Sequence, residues 1–346
     1  MRQQILRKYP PAKVRQLHAK LGRIDLRSLI KFKSNNKIKA LSLPPKLLRE
    51  YVDDKCPICY TMKRRQPKRP SSLGNAEKCE FKPWQMVYVD TSGKWRVRSS
   101  RANNYHTVFV CAKSGMKITI PHRKHSHFPL VYMKFVSRIV SHPQHLLSDK
   151  AGEINSKTFD ALMLVKGCNH ICLPKNEYYS LGVPEKAIDD LDRNTRTIMV
   201  DVNIPPPYWD IVVQHASLLN VCTSPSICDP EITIFEANTG VVPDLTVFPS
   251  PGCFCIRCRS KIDRADHKLD VHHETGVFLG FDHLDNTFGA VILVNKTLVV
   301  ARNNVAFVER VFAFKEKKSS FTHGESLHKL LGRNILHKSN TILMIF

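Results

Sequence analysis

The stretch HLLSDKAGEINSKTFDALMLVKGCNHICLPKNEYYSLGVPEKAIDD runs from His145 to Asp190. "QHLLSD" is a short apolar strand that ends on Asp149. "NSKTFDALMLVKG" has helical apolar spacing, with Gly167 as its stop. "CNHICLP" is a second strand. Pro184 then suits the first position of a helix that Glu185 opens. Strand, helix, strand and helix in succession predict a mixed sheet flanked by helices. Two acids, Asp149 and Glu185, therefore mark a strand end and a helix start.

Upstream the texture is different. "WQMVYVD", "YHTVFVCA" and "MKITIP" are short β-branched and aromatic runs separated by turn residues, which predict three successive antiparallel strands. Asp90 ends the first of them. A helix is expected over 126–140. Downstream, helices are expected at roughly 183–199 and 208–221. "TGVFLGF", "GAVILVN", "TLVVARN" and "VAFVERVF" then predict a small β-rich region within 240–315. The first 60 residues read as helical, with "AKVRQLHAKLG" and "LRSLIKF" apolar at helix spacing and Gly22 as a natural stop. A Pro-, Ser- and Lys/Arg-rich linker follows at 63–78.

The chain has 346 residues, 42% of them hydrophobic, which predicts a folded protein of two or three domains. No apolar run reaches the roughly 20 residues of a membrane span, and the N-terminus lacks a secretory signal. A soluble intracellular chain is expected. There are 53 Lys and Arg against 30 Asp and Glu, a net charge of +23. Residues 1–70 hold 20 basic and 4 acidic side chains, so +16 lies in the first fifth. A field of that sign attracts polyanions, nucleic acid above all, through counterion release. The 11 cysteines are expected to be free thiols or metal ligands rather than a disulfide framework.

Carboxylates that meet at strand ends repel one another unless cations neutralise them, and hard divalent ions prefer oxygen ligands. Two such ions can activate a hydroxyl and stabilise the leaving oxygen of a phosphodiester. Against this, acids are common in any chain, and a spacing match alone is weak evidence.

The surrounding residues carry a resemblance. From about Val14 to Phe314 the chain resembles the integrase of copia-type LTR retrotransposons. "LHAKLG" and "CPIC" (56–59) are similar to that family's N-terminal His and Cys motifs, "YVDTSG" to its first-acid strand, "SDKAGEINSKTF" to its second-acid stretch, and "GVPEK" to its third. "PPPYWDIVVQHASLLNVCTSP" keeps Trp209, Ala216, Asn220 and Pro225 of the helix that follows. "GVFLGF" and "NNVAFVERVFAF" look like the C-terminal strands. The resemblance implies an α/β fold with an RNase H-like mixed five-stranded sheet and flanking helices. It also implies a small helical N-terminal domain and a small β-rich C-terminal region. The corresponding division is a basic, zinc-finger-like domain at 1–70, a catalytic core at 79–225, a β-rich domain at 240–315 and a basic, poorly ordered tail at 316–346. Catalytic and Mg²⁺- or Mn²⁺-binding roles fall on Asp90, Asp149 and Glu185. The implied reactions are trimming of the element's DNA ends and attack of the freed 3′-hydroxyls on target DNA. The implied partners are both DNAs and further copies of the chain, with no membrane. Nuclear action after cytoplasmic synthesis is expected. Family members are cut from a polyprotein, so a fragment or decayed copy is expected here.

The departures from the family pattern are local. His18, Cys56 and Cys59 remain of the zinc site, but Arg23 stands where the second His belongs, and a structural zinc site normally closes with four ligands. A weakened three-ligand site and a metal-free helical domain both remain open. Lys150 and Ala151 replace the family's Asn and Gly. Asp189 adds an acid one turn after Glu185, and Asp190 and Asp192 deepen the effect. Lys186, Arg193 and Arg196, with Lys63, Arg64 and Arg65 of the linker, are candidate phosphate contacts; ordinary solvated charge is the alternative. "KRRQPKRP" (63–70) also reads as a nuclear import signal. Tyr178 and Tyr179 are placed in a loop, where they either stack on bases or pack the loop. Cys253, Cys255 and Cys258, with His267, His272 and His273, form an incomplete zinc pattern. The "HRKHSH" cluster (122–127) is expected on a surface turn. The first reading is an integrase; the alternative is a catalytically silent DNA-binding remnant of the same ancestry.

Overall fold

In a computed structural model of the chain, five short apolar segments join into one mixed sheet. They are β1 (Met86–Thr91), β2 (Tyr105–Cys111), β3 (Lys117–His122), β4 (His145–Ser148) and β5 (Asn169–Cys172). The strand order is β3-β2-β1-β4-β5. β2 pairs antiparallel with β1 and β3, whereas β4 is parallel to β1 and β5 to β4. This is an α/β sheet of RNase H-like order, as expected. The structure describes residues 11–39, 43–45, 48–49, 56, 58–59, 79–149, 154, 156–172, 178–259, 273–284, 287–302, 304–315 and 337–338.

The helices follow from side-chain spacing. In α3 (Phe128–Val136), Phe128, Val131, Tyr132 and Phe135 form a stripe at i, i+3, i+4 and i+7, all buried. The Phe135 ring stacks on Phe109 of β2 at 4.1 Å and 4°. α4 (Lys157–Val165) starts where the Ser156 side chain accepts from the Phe159 amide, and it buries Phe159 and Met163. α5 (Tyr178–Val202) buries Pro184, Ala187, Leu191, Thr195 and Ile198 along one face, and packs on β1 and β2. It begins five residues earlier than the helix read from sequence, so Pro184 lies inside it. Tyr178 and Tyr179 are helical rather than in a loop; their side chains fall outside the described residues.

α6 (Trp209–Thr223) is the hub. Most of its residues are buried, because β3 lies on one side and a second sheet on another. That sheet has the order β11-β10-β6-β7-β8-β9. Its strands are β6 (Cys253–Cys258), β7 (His273–Leu284), β8 (Thr287–Val294), β9 (Thr297–Ala301), β10 (Val305–Phe312) and β11 (His337–Lys338). Gly280 lets β7 approach the helix: a Cβ there would lie 2.9 Å from His215 Cβ, and the φ of +156° disfavours any side chain. The Arg101–Asp282 ion pair ties the β1–β2 connection to β7. A short helix, α7 (Ile234–Thr239), capped by the Thr233 hydroxyl, precedes this region.

Two helices precede the first sheet, α1 (Pro11–Lys20) and α2 (Leu26–Ser34). The turn between them needs Gly22, at φ +62°. Lys20 pairs with Glu309 of β10 at 2.7 Å, and Lys37 with Glu236 of α7 at 2.9 Å. Apolar side chains from Val14 to Phe307 belong to one continuous cluster.

Several sequence readings are corrected here. Cys79 and Cys228, 149 residues apart, form a disulfide, where free thiols were expected. β6 is the "CFCIRC" segment: Cys253 and Cys255 are fully buried core thiols, and His267 and His272 lie outside the described residues. His122 is buried at the end of β3, hydrogen-bonded to the Thr107 hydroxyl at 3.0 Å, and only His125–His127 form a short turn of helix beyond it. Of the tail, only His337–Lys338 is described, paired with β10. No helix among the described residues is long and apolar enough to cross a membrane.

Candidate active site

β1 and β4 are neighbouring parallel strands, with Tyr88 opposite Leu147. Two residues further along each chain come Asp90 and Asp149, so both acids sit at the same edge of the sheet. Asp90 lies in the last part of β1, and its Oδ1 accepts from the Thr91 amide at 2.7 Å. α5 packs across β1 and β2, and Glu185 of that helix is near enough for its charge to act on Asp90. Burial pushes the Asp90 pKa up to about 7, the Thr91 hydrogen bond opposes the shift, and the charges of Asp149 and Glu185 add to it. Asp149 and Glu185 therefore each lie within electrostatic reach of Asp90. Glu185 is exposed, and Asp149 half-buried, so the group opens to solvent.

An all-oxygen donor set suits a hard divalent cation, and Asp90, Asp149 and Glu185 would hold it. In this structure, however, their oxygens do not all come within 4.8 Å of one another, as the ligand atoms of His18, Cys56 and Cys59 do. Asp189, expected to crowd the site with charge, is turned to Arg193 at 2.8 Å. Arg193 also approaches Asp190 at 3.5 Å, and its side chain is only 11% exposed. In this structure it pairs with acids of its own helix. Lys186 and Arg196 are exposed on the same helix. Lys63, Arg64, Arg65, Lys150 and Ala151 lie outside the described residues.

A second set of side chains near α5 carried little signal in the sequence. Trp95 stacks on Trp209 at 4.5 Å and 1°. Its Nε1 donates to His106 Nδ1 at 3.3 Å, which leaves the proton of the neutral imidazole on Nε2. His106 Nε2 faces Asp192 Oδ1 at 3.3 Å. Burial holds the His106 pKa down, to about 3, and pushes Asp192 up to about 6. Gly93, Lys94, Trp95, Arg96, Asp192 and Arg196 help to line a cavity of about 800 Å³ beside them. The basic–aromatic alternation of "KWRVR" (94–98) was the only hint.

The N-terminal residues His18, Cys56 and Cys59 do meet: one ligand atom from each lies within 4.8 Å of the others. Arg23 occupies the fourth side, with Nη1 2.7 Å from Cys56 Sγ. Among the described residues the set does not fit a closed four-ligand zinc site.

No family model and no curated protein matches this sequence. Among solved structures, the chain is similar to the catalytic core domain of BIV integrase. The identity is 16% and the TM-score 0.36, over 45% of this chain and 93% of that one.

Proposed function

We propose that this chain is an integrase-type DNA-joining enzyme whose catalytic carboxylates are Asp90, Asp149 and Glu185. One observation carries the reading: β1 and β4 run parallel side by side, and Asp90 and Asp149 stand two residues beyond the Tyr88–Leu147 pair. Burial and the charges of Asp149 and Glu185 disfavour ionised Asp90, and a bound cation would offset that cost. Divalent ions bound there would activate a water or a 3′-hydroxyl and stabilise the leaving oxygen of a phosphodiester. The chain's own contribution is to place the three carboxylates and to offer Lys186 and Arg196 to DNA phosphates. The net charge of +23 draws the DNA in. The substrates are two DNA duplexes, so several copies of the chain would act together, in the nucleus.

A catalytically silent DNA-binding protein of the same fold is the second reading, and the basic charge favours it equally. Strand-transfer assays on short duplexes with Mg²⁺ or Mn²⁺ separate the two. Joined product that disappears in Asp149→Asn supports the enzyme. Salt-sensitive DNA binding without any product supports the second reading and defeats the first.

A further inference from the structure

We propose that Arg23 replaces both the fourth ligand and the metal ion at the His18–Cys56–Cys59 cluster, making it a metal-free latch that pins the N-terminal helices to the core. The guanidinium spans two partners. Its Nη1 donates to Cys56 Sγ at 2.7 Å, and its Nη2 to Asp201 Oδ1 at 2.6 Å. Asp201 belongs to the last turn of α5, and the Arg23 and Asp201 side chains are 12% and 7% exposed. Lys315, just beyond β10, reaches the same carboxylate at 3.6 Å. One acid of the core thus joins the N-terminal helices and the second sheet.

Two features argue against a metal at this cluster. A zinc ion needs a position about 2.3 Å from each sulfur. At Cys56 a cationic guanidinium already stands at hydrogen-bond distance, and its charge repels a divalent ion. His18 is the second obstacle. Its Nε2, the nitrogen 3.7 Å from Cys59 Sγ, also lies 3.1 Å from the Ile24 carbonyl oxygen. A ring nitrogen that close to a carbonyl carries the proton. His18 could take a metal only by turning off that carbonyl and giving up the proton, which the neighbouring guanidinium charge gives it no reason to do. The rigid fork of Arg suits the bridging role, because it can satisfy a sulfur and a carboxylate in one plane.

The turn that carries Arg23 is built for this. Arg23 has a left-handed φ of +55°, and its amide donates to the His18 carbonyl at 2.6 Å. The backbone strain is held by the contacts on either side. The Arg23 carbonyl in turn lies 3.9 Å from Cys59 Sγ. A histidine at position 23 would therefore start from beside both cysteines.

The test is metal content of the full chain purified without chelator, together with Co²⁺ titration and thermal melts. The latch predicts under about 0.1 equivalent of zinc, no tetrahedral Co²⁺ absorption, and a melting temperature that EDTA leaves unchanged. Arg23→His should gain about one equivalent of Co²⁺ with tetrahedral absorption, and Arg23→Ala should melt lower without gaining metal. One equivalent of zinc in the unaltered chain, with a melting temperature that falls on chelation, would overturn the proposal even if neither variant folds. These readouts are independent of DNA joining, so failure here leaves the proposed function standing.

Discussion

Asp90 and Asp149 close adjacent parallel strands, each two residues beyond the pairing of Tyr88 with Leu147. The charges of Asp149 and Glu185 both act on Asp90, and several expectations follow.

The first concerns pH. The folded-state pKa of Asp90, about 7, lies above its ordinary value of 3.8. A raised carboxylate favours folding below its unfolded value, and that contribution fades as pH rises through about 7. Without cations, stability should therefore fall between pH 4 and pH 7. Asp90→Asn should flatten that fall, and Mg²⁺ should raise the melting temperature more at pH 8 than at pH 5. Melts across that range, with and without Mg²⁺, measure it. A wild-type profile as flat as the variant's would contradict the assignment.

Asp149→Asn and Glu185→Gln should each lower strand transfer by at least about 100-fold, the scale seen when one stabilising group is removed from a reacting centre. Both should keep the wild-type circular dichroism spectrum. Activity that survives either change would remove that acid from the site.

Charge reversal separates the basic residues of α5. Lys186→Glu and Arg196→Glu should weaken DNA binding across sequences and each lower the salt slope by about 1. Arg193→Glu should act mainly on the fold, because Arg193 faces Asp189 and Asp190. Fluorescence anisotropy at several salt concentrations, alongside melts, distinguishes these outcomes.

The Cys79–Cys228 bond closes a long loop, with a sequence separation of 149. Reduction, or Cys79→Ser, should cost about 2–4 kcal/mol in urea unfolding. Equal stability of the oxidised and reduced chains would contradict it.

Gly280→Ala should be costly. The added methyl would sit 2.9 Å from His215 Cβ, where β7 meets α6. A loss of about 1–3 kcal/mol is expected from overpacking, read from thermal or urea melts.

Much of the architecture was legible because its signals are local. The β-branched and aromatic runs around Val87 and Val108, the 3.6-residue stripe from Phe128 to Phe135, and the stops at Gly22 and Gly167 each act within a few residues. "CFCIRC" was not read as a strand because clustered cysteines suit either a metal or a buried strand, and only burial in β6 tells them apart. The start of α5 was missed because Pro184 resembles a first helical position when its neighbours in space are unknown.

The amino-acid order alone determined most of the strands and helices, since propensity and periodicity depend on near neighbours in the chain, and the family resemblance singled out the three candidate acids. Only the packed molecule decided which charges meet. Arg23 reaches Cys56 and Asp201, Arg193 turns to Asp189, and Cys79 bonds to Cys228. All but one of those partnerships join residues far apart in the chain. Electrostatic energy depends on separation in space and on burial, and neither quantity is written in a linear sequence.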